Sequence, residues 1–234
     1  MIRFGIPSDG ALHKDTIKFL SDCGLNIVRP NPRNYTGEIV GAPGVIVHFQ
    51  RAGDITLMVE NKNLDIGIVG YDRYKESRDP QIDTKVLIDN LGFGQCRLSF
   101  ALPQDWLDVS NFADLSEVAA QLRERGLELT IATKFPRLVS RFMVERGLNY
   151  FSIVPISGTL EAAPAMGYAD LIVDIISSGN TIKQNKLKTI NGGDVIISQA
   201  CLIANQSTIK TNSDLQIECD LLTNAINSYL ESRS

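Results

Sequence analysis

Apolar residues in this chain come in short blocks, and the spacing inside the blocks alternates between two periods. Ile2 to Ile6 reads as a strand, and Pro7-Ser8-Asp9-Gly10 breaks it. Over residues 13–22, Ile17, Phe19 and Leu20 sit among polar residues, which predicts a short helix ending at Gly24, where a capping glycine belongs. Leu25 to Val28 predicts a second strand, followed by a loop rich in proline, asparagine and arginine from Arg29 to Tyr35. Val45 to Phe49 predicts a third strand, Asp54 to Asn61 a helix, and Leu64 to Gly70 a fourth strand. Strands alternating with short helices point to an α/β sheet.

The alternation continues. Gly92 to Ala101 predicts a strand with Pro103 after it, Asp105 to Gly126 a polar helical stretch, and Leu129 to Thr133 a strand. Pro136 opens a helix that runs to Gly147, at a position proline favours. Ser152 to Ile156 and Leu171 to Val173 are further strands, so residues 104–184 are expected to form a second α/β domain. Strands at 194–197 and 200–204 then return the chain, so the first domain is expected to be 1–103 plus 185–210. No linker rich in glycine and serine separates the two, which implies crossover strands between them. Residues 211–234 predict a closing helix. Ser213-x-x-Gln216 fits a capping box, and Leu215, Cys219, Leu222, Ile226 and Tyr229 fall at alternating four- and three-residue steps. That single apolar stripe is expected to dock on the chain's own core, with a subunit interface as the alternative.

The chemistry concentrates in residues 161–187. Leu171-Ile172-Val173 is a buried-strand signal, and Asp174 is expected at or just past its carboxyl end. Ser177-Ser178-Gly179-Asn180-Thr181 suits a tight turn into a helix. A strand, a small-residue loop and a helix N-terminus aim backbone N–H groups at an anion, and the hydroxyls of Ser177, Ser178 and Thr181 add donors. Asp174 is of the type that holds a ribose hydroxyl or Mg2+. Glu161, Ala163-Pro164, Gly167, Ala169-Asp170, Asp174 and Ser178-Gly179-Asn180-Thr181 together resemble the signature region of the ATP phosphoribosyltransferases, which open histidine biosynthesis. The resemblance implies that the loop Ser177 to Thr181 takes the 5-phosphate of phosphoribosyl pyrophosphate. It also implies that Asp174 and Glu161 take the ribose, with Asp170 among the binding residues.

Other segments carry the same likeness. Phe49-Gln50-Arg51-Ala52-x-Asp54-Ile55, Leu64 to Asp72, Gly94-x-Cys96-Arg97-Leu98-Ser99 and Ile131 to Pro136 all resemble family segments. The implied fold is that of the type II periplasmic binding proteins, two α/β domains around a cleft. The substrates bring many negative charges, so Arg33, Arg51 and Arg97 are candidate phosphate contacts, because arginine offers bidentate, permanently charged donors. Lys134 is a further candidate, and Gly10 and Asp72 complete the implied binding set. The reaction implied joins adenine N1 of ATP to the ribose C1 with release of pyrophosphate, assisted by Mg2+. No nucleophile is called for, and no Ser-His-Asp or Cys-His set stands out. One departure matters: the family's usual Lys-Gly-Arg-like run reads Asp9-Gly10-Ala11 here, so two positive charges are missing.

Composition narrows the alternatives. The chain has 234 residues, is 44% hydrophobic and 21% charged, and carries a net charge of −4, which argues against nonspecific nucleic-acid binding. No apolar run approaches the roughly 20 residues of a membrane span, and no signal-peptide pattern opens the chain, so a cytoplasmic protein is expected. The four cysteines show no C-x-x-C spacing, and they are expected as buried reduced thiols. About 30 residues follow Ala204, too few for another domain. The resemblance is therefore to the short form, which lacks a regulatory domain and is implied to work with a subunit resembling histidyl-tRNA synthetase. A homo-oligomer, dimer or larger, is expected, with no histidine site on the chain itself. Two other readings share the fold: a binding protein for small anionic solutes, and a catalytically impaired regulatory paralogue.

Overall fold

A computed structural model describes residues 1–31, 33–156, 159–177 and 179–233. The chain runs through β1 (Ile2–Pro7), α1 (Ala11–Asp22), β2 (Ile27–Val28), β3 (Thr36–Ile39), β4 (Ala42–Gln50), α2 (Ala52–Glu60), β5 (Ile66–Gly70), α3 (Tyr71–Ser77) and β6 (Thr84–Ile88). It continues through β7 (Cys96–Pro103), α4 (Phe112–Glu124), β8 (Leu129–Thr133), α5 (Pro136–Glu145), β9 (Phe151–Pro155), a 3-10 turn (Leu160–Ala162), β10 (Leu171–Ile176), α6 (Asn180–Gln184) and β11 (Leu187–Ser198). It closes with β12 (Ala200–Asn205), α7 (Gln206–Lys210) and α8 (Ser213–Glu231).

These elements divide into two units, Met1–Gln95 with Ser198–Ser234, and Cys96–Ile197. The first boundary falls at 95/96 where the sequence suggested 103/104, because β7 pairs along its length with β10 of the second unit. The second falls at 197/198 in place of 184/185, because β11 also joins that sheet, beside β7. The closing helix is not separate: it belongs to the first unit.

In the first unit the sheet order is β2-β3-β4-β1-β5-β12-β6. Strands β4, β1 and β5 run parallel, while β12 pairs antiparallel with both β5 and β6. Period-2 alternation sends Ile2, Phe4 and Ile6 of β1 to one face, where they meet Phe19 and Leu20 of α1 and Leu215, Cys219, Leu222 and Ile226 of α8. The apolar stripe of the tail therefore docks on its own core. The residues between them on β1 and β5 include Gly5 and Gly67, and an added Cβ at either would lie 2.5 Å from Leu64 or Ile55. Glycine at both lets α2 lie close against the second face. A buried carboxylate pins the start of β5 to β1: Asp65, 1% exposed in its side chain, accepts from the backbone N–H of Arg3 at 2.7 Å and from its guanidinium at 2.7 and 3.1 Å.

In the second unit the order is β11-β7-β10-β8-β9, with β10, β8 and β9 parallel and β7 antiparallel to β10. Leu98, Phe100, Ile131, Leu171 and Val173 face α4 and α5, packing on Leu115, Val139, Phe142 and Met143. Ala101, Ala132, Ile172 and Ile176 face the other way, toward Leu160 of the 3-10 turn and Ile182 of α6. Helix caps follow local chemistry the pattern reading placed elsewhere. The reciprocal capping box belongs to Asn111 and Asp114 at α4, while α8 is capped by Asn212, whose side chain accepts from Asp214 and Leu215, one residue before the expected Ser213.

Candidate active site

Because β4, β1 and β5 are parallel, their carboxyl ends share one edge of the first unit. The chain passes from β1 to β4 on one side and then through α2 to β5 on the other side of β1, the kind of switch point at which open α/β sheets bind ligands. Gly10 stands there as the N-cap of α1 with φ 75°, a backbone that other residues adopt only at a cost. Arg51 follows β4 directly, N-caps α2 and is exposed. The loop of Arg33 reaches the same edge, because the Phe49 N–H donates to the Tyr35 carbonyl at 2.9 Å. Arg33 is exposed. Its neighbour Arg29, which the sequence did not single out, shapes this loop: its guanidinium lies 4.0 Å from the Phe49 ring centroid, and its Nε donates to the Asn34 carbonyl at 2.6 Å.

Asp72 also lies at this edge but is occupied. It is 6% exposed, its Oδ1 accepts from the Ser198 hydroxyl at 2.5 Å, and its own N–H donates to Ser198 Oγ at 2.9 Å. The pair ties α3 to the strand returning from the second unit, so the carboxylate expected to face substrate is a fastening. Gly70 allows it, since a Cβ there would meet Asp72 Oδ1 at 2.5 Å. Burial, and then the Asp72 charge, push the Cys201 thiol up to about 12, so it stays a neutral core group. Cys219 is likewise buried, while Cys23 and Cys96 are only half-buried, where the sequence suggested four buried thiols.

The second unit has a corresponding edge. Strands β8, β9 and β10 end there, and β7 begins there, with Arg97 opposite Ile176. Lys134, exposed, follows β8; its turn is ordered by Thr133, whose hydroxyl donates to the Val173 carbonyl at 2.8 Å and accepts from the Phe135 N–H at 3.0 Å. After β10 come Ser177 and then Gly179, which has φ 73° and caps α6; Asn180 and Thr181 open that helix, and Ser177, Asn180 and Thr181 are exposed. Ser178 lies outside the described residues. Helix α6 has only 5 residues, so the aimed backbone N–H groups matter here more than a helix dipole. Asp174 is not at the strand end: it lies within β10, opposite Ser99 and half-buried. By alternation it shares the face of Ile172 and Ile176, on which the 3-10 turn bearing Glu161 also packs. Arg97 is held by Asp194 at 3.4 Å, an exposed pair that an incoming phosphate can displace at little cost.

Asp170 stands apart from this group. Its Oδ2 accepts from the Thr130 N–H at 2.7 Å and from the Thr130 hydroxyl at 2.6 Å. It precedes β10, at the opposite edge, and the six steps to Ile176 span roughly 20 Å at the usual strand rise. Its carboxylate splices β10 to β8 and does not belong with the loop.

The sequence pattern of the family described as HisG, ATP phosphoribosyltransferase, matches residues 51–228. The chain belongs to the ATP phosphoribosyltransferase family. It is 40% identical over 210 residues to the chloroplastic ATP phosphoribosyltransferase 1 of Arabidopsis thaliana, an alignment that covers 89% of this chain and 51% of that protein. It thus spans about half the length of the Arabidopsis relative. It is 37% identical over 226 residues to the ATP phosphoribosyltransferase of Mesorhizobium japonicum, covering 95% of this chain and 97% of the other. The fold matches the ATP phosphoribosyl transferase (HisG:HisZ) complex from Thermotoga maritima with a TM-score of 0.73 at 23% identity, over 100% of both chains. The alkanesulfonate-binding protein of Xanthomonas axonopodis pv. citri aligns with a TM-score of 0.55 at 12% identity, over 99% of this chain and 74% of that one. The fold is therefore the type II periplasmic-binding-protein-like one. Gly10 and Arg33 precede the matched family segment, as do Asp9 and Ala11; Arg51 opens it.

Proposed function

We propose that this protein transfers the phosphoribosyl group of phosphoribosyl pyrophosphate to N1 of ATP, the first step of histidine biosynthesis. The bond from N1 to the ribose C1 forms as the bond from C1 to pyrophosphate breaks. The observation that carries the reading is in the second unit: a glycine-turned loop after β10, with Asp174 on the sheet face against which Leu160, the neighbour of Glu161 in the 3-10 turn, packs. In this reading the loop's backbone N–H groups and the hydroxyls of Ser177 and Thr181 hold the 5-phosphate. Asp174 and Glu161 accept the ribose hydroxyls and so fix C1 toward the attacking nitrogen. Lys134 and Arg97 face the phosphates from the neighbouring strands. Arg51 and Arg33 are proposed for the polyphosphate chains, where a bidentate guanidinium balances charge that lysine meets only as a point. The developing positive charge on the ribose is stabilised by Asp174 already held in place.

Carboxylates are the hard oxygen donors Mg2+ prefers, and Asp174 and Glu161 are the two this reading offers. When bound, Mg2+ would neutralise the leaving pyrophosphate. A cytoplasmic location, self-association into at least a dimer, and a separate regulatory subunit resembling histidyl-tRNA synthetase belong to the same proposal. The relative of known fold is a two-component complex, and Asp9 and Ala11 leave charge for a partner to supply. No helix among the described residues is long and apolar enough to cross a membrane.

The test is a coupled assay with ATP, phosphoribosyl pyrophosphate and Mg2+, followed by ultraviolet absorbance of the product. Wild-type protein should turn over, and Asp174→Ala should lower kcat/KM by about ten- to a hundredfold, the worth of a hydrogen bond to a charged group. Wild-type kinetics in Asp174→Ala would remove this residue from the site.

A further inference from the structure

Ser99 is wholly buried, and its Oγ has no hydrogen-bond partner among the described residues. A hydroxyl enclosed in a sheet without an acceptor costs free energy; the hydroxyls of Thr16, Thr56 and Thr84 are in the same state, and what distinguishes Ser99 is its place beside Asp174. Ser99 lies on β7 directly opposite Asp174 of β10. Leu98 and Phe100 on either side of it turn toward α4 and α5, while Ala101, two residues on, turns toward the 3-10 turn and α6. Ser99 and Asp174 therefore emerge on the same face, as cross-strand neighbours. Opposed Cβ atoms in antiparallel strands stand about 5 Å apart, close enough for a serine rotor to reach a carboxylate. An O–H facing an ionised carboxylate is also the stronger, charge-assisted kind of donor.

We propose that Ser99 is a positioning residue for Asp174. When phosphoribosyl pyrophosphate is bound, its hydroxyl donates to one Asp174 oxygen and leaves the other turned to the ribose. The inference rests on the reading of Asp174 as the ribose-binding carboxylate. In the unliganded protein the hydroxyl is held in reserve, so a function is gained at the expense of stability. Neither residue could be paired from the sequence, because 75 residues separate them and only the strand register makes them neighbours.

The experiment compares wild type, Ser99→Ala, Asp174→Asn and the double variant. Alanine fits the site, since it only deletes the oxygen. Kinetics with both substrates are measured alongside calorimetry with phosphoribosyl pyrophosphate and Mg2+ and thermal unfolding of the unliganded protein. Ser99→Ala should raise KM and Kd for phosphoribosyl pyrophosphate about tenfold, leave KM for ATP unchanged, and unfold no lower than wild type. In the Asp174→Asn background, where the remaining amide oxygen is a neutral and weaker acceptor, its effect should be smaller than in wild type. A Ser99→Ala protein that binds like wild type while Asp174→Asn is impaired overturns the role of Ser99 alone. Wild-type behaviour in Asp174→Asn overturns the underlying reading instead. A lowered melting point in Ser99→Ala, or full additivity of the two substitutions, also overturns the proposal, because the hydroxyl would then be structural or independent of Asp174.

Discussion

Gly179 offers a perturbation whose size follows from backbone geometry alone. Its φ of 73° and ψ of 0° lie in the left-handed region, and an added Cβ would meet no atom within 4 Å. Gly179→Ala therefore introduces no clash, only the left-handed penalty of about 1 kcal/mol. Ser177, Asn180 and Thr181 around it are exposed, so an alanine at this position has room to leave the left-handed conformation in the unliganded protein. Binding must then restore it, and the penalty appears in affinity. At about 1.4 kcal/mol per decade, the Kd for phosphoribosyl pyrophosphate should rise about fivefold. Asparagine tolerates left-handed backbone, so Gly179→Asn should recover most of the loss. An internal control exists: Gly126, just after α4, has the same φ of 73° and an equally open Cβ position. There the residue closes a packed helix, so Gly126→Ala should lower Tm by about 2–4 °C in a chain of this length and leave affinity unchanged. Calorimetry and thermal unfolding on the three variants decide the matter. Wild-type affinity in Gly179→Ala, or an equal affinity loss in Gly126→Ala, refutes the role of this backbone in holding phosphate.

Two further outcomes test the scaffold. Ser198→Ala removes the hydroxyl that serves both the N–H and the buried carboxylate of Asp72, and should cost about 1–3 kcal/mol of stability by urea unfolding; an unchanged midpoint would show that Asp72 is not fastened there. His48, half-buried on β4, is held below its ordinary pKa by burial first and by Arg3 next, with Asp65 opposing. The unfolded chain then binds the proton more readily, so stability is full above about pH 6.5 and falls as pH drops through that value toward the folded pKa. His48→Gln should flatten this slope below about pH 6.5, and a slope unchanged in the variant would assign it to other groups.

Local chemistry made much of this protein legible. The strand from Leu129 to Thr133 and the helix opened by Pro136 follow from a few adjacent residues and appear as expected. Short pieces were missed where the signal is short: β3 has 4 residues and α3 only 7. A turn after β10 was readable because serine, glycine and asparagine are common turn residues, and Gly179 takes the left-handed backbone there. The roles of the acidic residues were not. Asp170, Asp174 and Asp72 look alike as letters near strand ends, yet one splices β10 to β8, one shares a sheet face with the 3-10 turn of Glu161, and one fastens the returning strand.

What the sequence alone determined is whatever depends on neighbours within a few positions: the alternation of strands and helices, the turn chemistry of Ser177 to Thr181, and the apolar stripe of α8. What only the tertiary structure decided is whatever depends on partners far along the chain. Ser198 reaches Asp72 across 126 residues, and Thr130 reaches Asp170 across 40. The physical reason is register. A strand presents alternate side chains to opposite faces, and a slip of one position would exchange every buried group for its neighbour. Which carboxylate meets a hydroxyl of a neighbouring strand, and which shares a face with the 3-10 turn, is set when β10 settles between β7 and β8.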